Sequence, residues 1–253
     1  LDFALPEAKD LAIEPDFADI RGQAAAKRGL EIAAAGSHGV IFVGSPGSGK
    51  TMLARAIRGI LPPLSDDELI EVMRIRSARG MHLNVDRTRP FRAVHHTASV
   101  VAICGGGVDL KPGELSLAHR GVLFLDEITE FRRDVLESLR QPLEDGSITV
   151  SRASGTVTYP ASVLLVAACN PCPCGYLGDV VKSCSCSPSD IDRYAKKLSG
   201  PILDRIDIHL QVPRLTPEEL LELGRDAENS LSVKKRVMAA RAIQLERWHP
   251  FGI

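Results

Sequence analysis

The sequence predicts an α/β fold in which helices cover both faces of a central parallel sheet. Its strand candidates are short apolar runs rich in branched residues: GVIFVG, GVLFLDE, SVLLVAACN and IDIHLQV. Stretches with helical patterns separate these runs, and apolar strands that alternate with helices indicate a parallel sheet. The chain has 253 residues, of which 44% are apolar and 25% charged. This composition is typical of a globular protein with a sizeable core.

Four helices are predicted from capping and spacing patterns. In SDDELIEVMRIR, Ser65 precedes Glu68 by three residues, which is a capping box ahead of apolar residues at helical spacing. TPEELLEL repeats this pattern with Thr216 as the N-cap. The alanine-rich stretch DIRGQAAAKRGLEIAAAG is expected to end at Gly36 in the left-handed conformation. SVKKRVMAARAIQLERW predicts a last, basic helix that is closed by Pro250.

A β-hairpin is predicted over residues 147–159, outside the parallel sheet. The stretch SITVSRASGTVTY alternates apolar and polar residues on either side of the dipeptide SG. Such alternation around a tight turn indicates two antiparallel strands. Since it falls between two strands of the sheet, the hairpin is interpreted as an insertion.

Charge and hydropathy narrow the possible partners. The formal net charge is −1, so a contact with DNA must come from local basic loops rather than from the overall field. No apolar run approaches the roughly 18 residues that a membrane-spanning helix needs, and the N-terminus has no signal-peptide pattern. We therefore expect a cytoplasmic chain with no membrane partner. Because the sequence begins at Leu1 rather than at methionine, we also expect a piece of a longer protein.

The stretch GSPGSGKT predicts a phosphate-binding loop. It satisfies the pattern G-x-x-x-x-G-K-[ST] and lies between a predicted strand and a helix-forming stretch. The glycines let backbone amides turn towards phosphates at a helix N-terminus, Lys50 supplies a cation, and Thr51 offers a hydroxyl to Mg²⁺. The candidate ATP-binding residues are Gly44, Ser45, Pro46, Gly47, Ser48, Gly49, Lys50, Thr51 and Met52.

Two polar strand ends complete the predicted nucleotide chemistry. Asp126 and Glu127 follow a buried strand, at the end where ligand groups lie in an open α/β sheet. Asp126 is predicted to hold Mg²⁺ and Glu127 to polarise the attacking water. Asn170 follows the next strand and is predicted to orient the water or the terminal phosphate, with a structural strand-end amide as the alternative. The two motifs predict a nucleoside triphosphatase that uses ATP and Mg²⁺.

Several extended runs, well beyond the phosphate loop, carry a family resemblance. They are DIRGQ, GSPGSGKT, RPFRAVHHTAS, KPGELSLAHRGVLFLDEITEFRRDVLESLRQPLEDG, ITVSRASGTVTYPASVLLVAACNPCPCGYLGD and LSGPILDRIDIHLQVPRL. Over about residues 16–215 the chain resembles AAA+ ATPases, and more narrowly the magnesium-chelatase-like branch called ComM or YifB. The resemblance implies a three-layer αβα P-loop NTPase domain over residues 1–215. Residues 216–253 are then the start of a C-terminal helical region that we expect to continue beyond this sequence.

The resemblance also implies an assembly. Members of such families form rings, usually of six subunits, with ATP bound between neighbours. An arginine of one subunit then reaches the terminal phosphate held by the next, and the matching position in ILDRIDIHL is Arg205. From spacing alone, a surface arginine paired with Asp204 or Asp207 is an equal alternative. Branch members usually carry an N-terminal domain resembling the Lon protease and ribosomal S5 fold, which this sequence lacks.

Two inserts distinguish the branch, one at about residues 104–114 in CGGGVDLKPGE and the other the hairpin at 147–159. In related rings such loops line the central channel and grip the substrate. Lys111 and Arg152 are therefore candidate DNA contacts, since cationic side chains hold phosphate backbones, with solvated loop charges as the alternative for each. The run RPFRAVHH suggests a contact strip or a subunit interface, but not a metal site, because adjacent histidines on a strand point to opposite sides.

A third insert, residues 172–186, is rich in cysteine. Cys172, Cys174, Cys184 and Cys186 form two C-x-C pairs nine residues apart, which is enough sulfur for one tetrahedral structural Zn²⁺. Reduced thiols without a metal are the main alternative, and a disulfide framework is disfavoured in a chain without a secretion signal. The remaining two cysteines, Cys104 and Cys169, are predicted to be buried apolar side chains.

The sequence leaves three functions open. The first is an ATP-driven DNA translocase, resembling the helicases that drive branch migration during natural transformation. The second is the motor subunit of a magnesium-chelatase-type complex that inserts a metal into a porphyrin. The third is a nucleotide-switched scaffold without a motor cycle. The cysteine insert favours the first, because by resemblance it accompanies the DNA-linked branch, and the complete set of nucleotide-binding and catalytic candidates argues against the third.

Overall fold

The structure is a computed structural model that describes residues 13–82, 85–153, 155–198, 202–222 and 227–248. Its helices are α1 Ala24–Gly36, α2 Lys50–Ile60, α3 Asp66–Arg79, α4 Val100–Cys104, α5 Glu114–Leu117, α6 Arg133–Asp145, α7 Pro188–Ala195, α8 Pro217–Glu222 and α9 Ser230–Trp248. Its strands are β1 Val40–Val43, β2 Phe91–Val94, β3 Gly105–Gly106, β4 Lys111–Pro112, β5 Val122–Leu125, β6 Ser147–Arg152, β7 Gly155–Pro160, β8 Leu164–Cys169 and β9 Ile208–Gln211. The predicted closing residue Pro250 and the hairpin residue Ser154 lie outside the described residues.

The main sheet has five strands in the order β2-β5-β8-β1-β9. Strand β2 pairs with β5 in parallel, with Phe91 opposite Val122, and β1 pairs with β9 in parallel, with Val40 opposite Ile208. Every residue of β5 and β8 is buried, whereas the outer strands β2 and β9 are partly exposed. This pattern is expected when helices cover both faces of a parallel sheet. The predicted α/β fold with a central parallel sheet is confirmed.

The chain divides into two compact units. Among the described residues, the first unit holds 63–166 and 197–205, and the second holds 13–62, 167–196 and 206–248. The division passes through β8, between Val166 and Ala167. Asp126 and Glu127 therefore belong to the first unit, and the phosphate loop and the cysteine insert to the second.

In the second unit, α1 and α2 pack against α9, and α1 also packs on β9. Gly29 makes this close approach between α1 and β9 feasible, because a Cβ at that position would lie 2.6 Å from a methyl group of Leu210. Helix α1 ends one residue later than predicted: Ser37, not Gly36, takes the left-handed conformation, with φ of 57°. The Ser37 and His38 amides both donate to the Ala33 carbonyl at this helix end, and Arg241 of α9 donates to the Ser37 hydroxyl at 2.6 Å.

In the first unit, α3 begins with the predicted capping box. The Glu68 amide donates to the Ser65 hydroxyl at 3.3 Å, and the Ser65 amide donates to the Glu68 carboxylate at 3.1 Å. The apolar face of α3 then buries Leu69 and Val72 against Leu64. A capping box stabilises a helix by about 1 kcal/mol, so the local signal and the packing agree.

A buried histidine joins α3 to the segment before β5. His119 is 3% exposed, and its Nδ1 accepts a hydrogen bond from the Ser162 amide at 3.1 Å. Its Nε2 lies 3.0 Å from the Glu71 carboxylate, which Arg120 also contacts at 2.8 Å. Because Nδ1 accepts, Nε2 must carry the proton and donate to Glu71. Burial lowers the pKa of His119 below its usual 6.5, so the ring is neutral in the folded chain.

We expect the free energy of unfolding to fall as pH drops from 7.5 to 5.5. The unfolded chain protonates His119 near pH 6.5, whereas the folded chain keeps it neutral to lower pH, so the unfolded state binds more protons in this window. Urea denaturation at the two pH values measures the change. His119→Gln should lose part of the pH dependence, and His82→Gln, at an exposed position, is the control. An unchanged pH dependence in His119→Gln contradicts the assignment.

Candidate nucleotide site and inserts

The phosphate loop connects β1 to α2 through two glycines with left-handed backbones. Gly47 has φ of 78° and Gly49 has φ of 96°, values that L side chains adopt only with strain. A Cβ at either position would meet nothing within 4 Å, so backbone conformation, rather than space, requires these glycines. Gly44 is different, because its Cβ would lie 2.2 Å from the carbonyl oxygen of Val212. The three glycines therefore shape the turn and allow close packing at its base.

Lys50 lies at the first position of α2 with its ammonium group among oxygens of the second unit. Its Nζ donates to the carbonyl oxygens of Gly44 at 2.6 Å and Ser45 at 2.9 Å, and to the Asn170 side-chain oxygen at 3.2 Å. Asn170 directly follows β8, whose last carbonyl accepts a hydrogen bond from the Gly44 amide at 3.3 Å. The structure thus brings together Lys50 and Asn170, which are 120 positions apart in the sequence.

The donor set of this loop fits a phosphate group. The buried hydroxyl of Ser48 has no hydrogen-bond partner among the described residues, although it lies in the middle of the loop. The first turn of α2 lies at the positive end of the helix dipole, which favours anions. An open cavity of about 760 Å³ adjoins the loop and is lined by Glu14, Pro15, Asp19, Thr51, Met52 and Arg55. Its size is sufficient for a ligand as large as a nucleotide.

The predicted acidic pair follows β5 in the first unit. Asp126 is partly buried, and its carboxylate accepts a hydrogen bond from the Glu127 amide at 3.0 Å. Glu127 is exposed and has a left-handed backbone with φ of 51°. A left-handed conformation costs a non-glycine residue about 1 kcal/mol and occurs preferentially at functional sites. The strain at Glu127 is therefore consistent with a role other than stability.

His96 contacts Glu127, a neighbour that sequence reasoning missed. The Nδ1 atom of His96 lies 3.4 Å from the Glu127 carboxylate, and the His96 ring meets the Phe131 ring edge-on at 6.5 Å. The expectation that His95 and His96 point to opposite sides of a strand is wrong. Both follow the end of β2, and their rings lie 4.1 Å apart in a turn. A signal was available in the sequence: the histidines follow β2, and the acidic pair follows β5, at the same ends of two parallel strands.

The two arginines of RPFRAVHH form ion pairs within the first unit. Arg89 donates to the Glu68 carboxylate at 2.8 Å, and both side chains are largely buried. Arg92 donates to the Glu114 carboxylate at 2.9 Å. These pairs give the two arginines a structural role within the chain, and the contact strip or subunit interface that the sequence suggested stays a prediction.

Arg205 is paired within its own unit. It closes the 3₁₀ turn Leu203–Arg205, and its Nη2 lies 2.6 Å from the carboxylate of Glu144 on α6. Its partner is thus neither Asp204 nor Asp207, which were the sequence-based alternatives. Both side chains are at least one third exposed, so the pair is at the surface of the isolated chain and is held weakly.

The two predicted channel inserts contact each other in the first unit. Strands β3 and β4 bracket a short loop, and the Tyr159 hydroxyl of the hairpin donates to the Leu110 carbonyl in that loop at 2.9 Å. Val108, at the tip of the loop, is 93% exposed, which is unusual for an apolar side chain. Lys111 pairs with Asp109 at 3.2 Å, whereas Arg152 at the hairpin end makes no ion pair among the described residues.

The four cysteines of the third insert lie together, and all four sulfurs are within 4.8 Å of one another. Cys172 is fully buried and the other three are partly exposed. The nearest sulfur pair is 3.4 Å apart, far beyond the roughly 2.05 Å of a disulfide bond.

The other two cysteines are buried, as predicted. Burial raises the pKa of the Cys169 thiol to about 11. Burial also raises the pKa of Cys104, whose sulfur lies 3.4 Å from the Ser138 hydroxyl. Both side chains are therefore protonated at neutral pH and behave as small apolar groups.

Comparison with known proteins gives the family. Residues 16–220 match the family described as magnesium chelatase, subunit ChlI. The chain belongs to this family. Two relatives of the chain are the competence protein ComM of Haemophilus influenzae and YifB of Escherichia coli K12. The chain is 50% identical to ComM over 92% of its own length and 46% of that protein, and 47% identical to YifB over 95% of its own length and 48% of that protein.

The fold of the family is also found among solved structures. A cryo-EM-based structure of the complex between the BchI and BchD subunits of magnesium chelatase aligns with a TM-score of 0.51 and 23% identity, over 92% of this chain and 70% of that one. The chain therefore shares the three-layer α/β fold of that structure. It spans about half the length of the curated relatives it matches. In the part that the structure describes, none of the helices has the length and apolar character that a membrane crossing requires.

Proposed function

We propose that this chain binds and hydrolyses ATP as the core of a ring-shaped motor that acts on DNA. The observation that carries the proposal is the phosphate loop, in which left-handed glycines precede Lys50 and the ammonium group contacts Asn170 at 3.2 Å. A lysine, an amide and a helix N-terminus converge there, and this combination of donors is suited to a terminal phosphate. Residues Gly44 to Met52 form the proposed ATP cradle.

The acidic pair is assigned separately, on its motif and its position after β5. Thr51 and Asp126 are the proposed ligands of Mg²⁺, an assignment that rests on the two sequence motifs. When bound, Mg²⁺ neutralises charge on the outer phosphates. Glu127 is the proposed general base for the attacking water, and Asn170 the proposed group that orients it.

His96 is a further positioning residue in this proposal. Its ring lies within 3.4 Å of the Glu127 carboxylate and is itself held between His95 and Phe131. A packed ring next to a flexible carboxylate restricts the rotamers that the carboxylate can adopt. His96 is thereby proposed to orient Glu127 without taking part in the reaction.

Arg205 is proposed to act on ATP held by a neighbouring subunit in a ring, and we expect a hexamer because related rings usually contain six subunits. Its guanidinium group is exposed enough to leave Glu144, and a surface ion pair costs little to break. A delocalised cation that enters from outside stabilises the charge on the transferring phosphate. Arg205, once it has left Glu144, is therefore the proposed arginine that a ring mechanism requires.

The hairpin and the adjacent loop are the proposed DNA contacts. Arg152 presents a cation at the end of the hairpin, Lys111 lies on the loop beside it, and exposed Val108 offers an apolar contact. Cationic side chains at a channel would hold the phosphate backbone without reading sequence. The name of the Haemophilus relative, competence protein, supports a role in natural transformation, and we propose branch migration in the cytoplasm as that role.

A motor subunit of a magnesium-chelatase-type complex is the second candidate function. It is favoured by the family match over residues 16–220. The identities of 50% and 47% to ComM and YifB favour the DNA-linked branch, to which the cysteine insert also belongs by resemblance. A nucleotide-switched scaffold is a third candidate, which rapid ATP turnover that rises with DNA would argue against.

The test is ATP turnover by the full-length protein with and without forked or four-way DNA. We expect turnover to rise with DNA and DNA binding to weaken with salt. Arg152→Ala should reduce the slope of log affinity against log salt by about 0.7 to 0.9 for each phosphate that the side chain no longer neutralises. Arg133→Ala is the matched control, because Arg133 is an exposed arginine on α6 of the same unit.

Three results would contradict the proposal. Turnover that DNA does not stimulate, together with the absence of salt-sensitive binding, removes the DNA motor. Stimulation by a porphyrin-binding partner subunit in the same assay would favour the chelatase function. An effect of Arg133→Ala equal to that of Arg152→Ala would show that overall charge, rather than the hairpin, accounts for DNA binding.

A further inference from the structure

The cysteine insert has little apolar packing to hold it in place. Residues 172–186 connect β8 to α7 and contain neither helix nor strand. Only Cys172 and Gly175 are buried there, whereas Leu177, Val180 and Val181 are exposed. The insert therefore has few apolar contacts to offset the entropy of ordering it. A bound metal ion is one way in which such a segment can be held.

The sulfur positions fit a single tetrahedral ion. Zinc binds thiolate sulfur at about 2.3 Å, which places the sulfurs of a ZnS₄ tetrahedron about 3.8 Å apart. Here Cys172 lies 3.4 Å from Cys174 and 3.6 Å from Cys184, and Cys174 lies 3.6 Å from Cys184. All four sulfurs lie within 4.8 Å of one another, which leaves room for one ion rather than for an iron–sulfur cluster.

Backbone amides supply the outer hydrogen bonds that a thiolate site needs. The Cys174 amide donates to the Cys186 sulfur at 3.3 Å, and the Cys186 amide donates to the Cys184 sulfur at 3.4 Å. Such amide donors stabilise thiolates and fix the orientation of the ligands. The C-x-C spacing produces them, because the second cysteine of each pair follows the first closely enough for its amide to approach a cluster sulfur.

The insert also contacts the phosphate loop within the second unit. Gly175 has φ of 86°, and a Cβ there would lie 2.8 Å from the Cδ atom of Pro46. Cys172 follows Asn170 by two residues, and Asn170 contacts Lys50. The conformation of the insert is therefore coupled to that of the loop at two points.

We propose that Cys172, Cys174, Cys184 and Cys186 bind one structural Zn²⁺, and that the zinc-bound insert holds the phosphate loop in its binding conformation. Four thiols release four protons to solvent and form four zinc–sulfur bonds, with no change of oxidation state. The second part rests on the proposed function of the loop as an ATP site. The insert thereby makes nucleotide binding dependent on zinc, although no cysteine touches the nucleotide.

The first test is the metal content of the full-length protein, purified without oxygen and without chelators. We expect about one zinc per chain in the wild type and below about one fifth in Cys184→Ser and Cys186→Ser. Ser185→Ala, which lies between the two ligands, is the matched control and should keep its zinc. Replacement of zinc by cobalt should give the absorption bands of a tetrahedral thiolate site. Wild-type protein with negligible zinc and four freely titrating thiols overturns the proposal.

The second test is the affinity for a fluorescent ATP analogue. We expect Cys184→Ser to bind it about tenfold more weakly than wild type, equivalent to ~1.4 kcal/mol. Gly175→Ala should also weaken binding, because its Cβ would lie 2.8 Å from Pro46 and because a side chain at φ of 86° strains the turn. Its zinc content is measured in parallel, and weaker binding at full zinc content assigns the loss to the contact with the loop. Circular dichroism shows whether each variant folds.

The two proposals fail in different ways. If zinc-free variants and Gly175→Ala both bind the analogue as tightly as wild type, the coupling between insert and loop is overturned. If wild-type protein holds zinc but binds no ATP, the proposed function fails while the metal site stands. If it binds ATP but holds no zinc, the metal site fails and the proposed function stands.

Discussion

Glu127→Gln is expected to reduce ATP turnover by at least about a hundredfold while leaving ATP binding intact. Glutamine keeps the size of the side chain but cannot accept the proton of the attacking water. The residue already adopts a strained backbone with φ of 51°, and His96 lies 3.4 Å from its carboxylate. Because Asp126 and Lys50 are unchanged, the variant should accumulate bound ATP and stabilise the assembled ring.

Turnover by phosphate release and binding by a fluorescent ATP analogue measure the two effects separately. Glu130→Gln is the matched control, because Glu130 is an exposed glutamate three residues further on that pairs with Lys197 at 3.5 Å. The control should retain nearly wild-type turnover. Rapid hydrolysis by Glu127→Gln would show that Glu127 is not the general base and that another group activates the water.

Arg205→Ala is expected to reduce turnover by about a thousandfold or more in the assembled ring. In the isolated chain, Arg205 pairs with Glu144 of its own unit, so its removal leaves the local ATP site intact. In the proposed ring, the transition state would then lack the cation that a neighbouring subunit is expected to supply. Arg193→Ala is the matched control, since Arg193 is also an exposed arginine paired within its own chain.

Mixing two inactive variants shows where the arginine acts. Lys50→Ala lacks a working phosphate loop but keeps Arg205, whereas Arg205→Ala keeps the loop. A mixed ring places an intact arginine next to an intact loop, so part of the turnover should return. Arg205→Ala with normal turnover contradicts the assignment, and failure of the mixture to recover activity contradicts action between subunits.

Local signals in the sequence predicted most of the elements correctly. The capping boxes at Ser65 and Thr216 form as expected, because their partners lie only three residues away. The buried strands were recognisable because a strand covered on both faces must be apolar along its length. The end of α1 was predicted one residue early, and the residue that takes the left-handed conformation, Ser37, also contacts Arg241 far away in the chain.

Contacts between distant residues could not be read from local patterns. No pattern near His96 in the sequence indicates that it contacts Glu127, and no pattern near Arg205 indicates that it pairs with Glu144. Both pairs arise where the chain returns to the same place after a long separation. Such pairings depend on strand order and on the packing of helices, which local spacing does not encode.

The sequence by itself predicted the kind of chemistry, because a glycine-rich loop, a lysine and adjacent acids are the residue types that phosphate and Mg²⁺ require. The two C-x-C pairs in the sequence also predicted that the four cysteines lie together as possible ligands of one metal ion. Only the tertiary structure decided that Asn170 contacts Lys50, and that the cysteine insert packs on Pro46 of the phosphate loop. The physical reason is that residue type limits which ligand a side chain can bind, whereas its neighbours depend on how the whole chain packs.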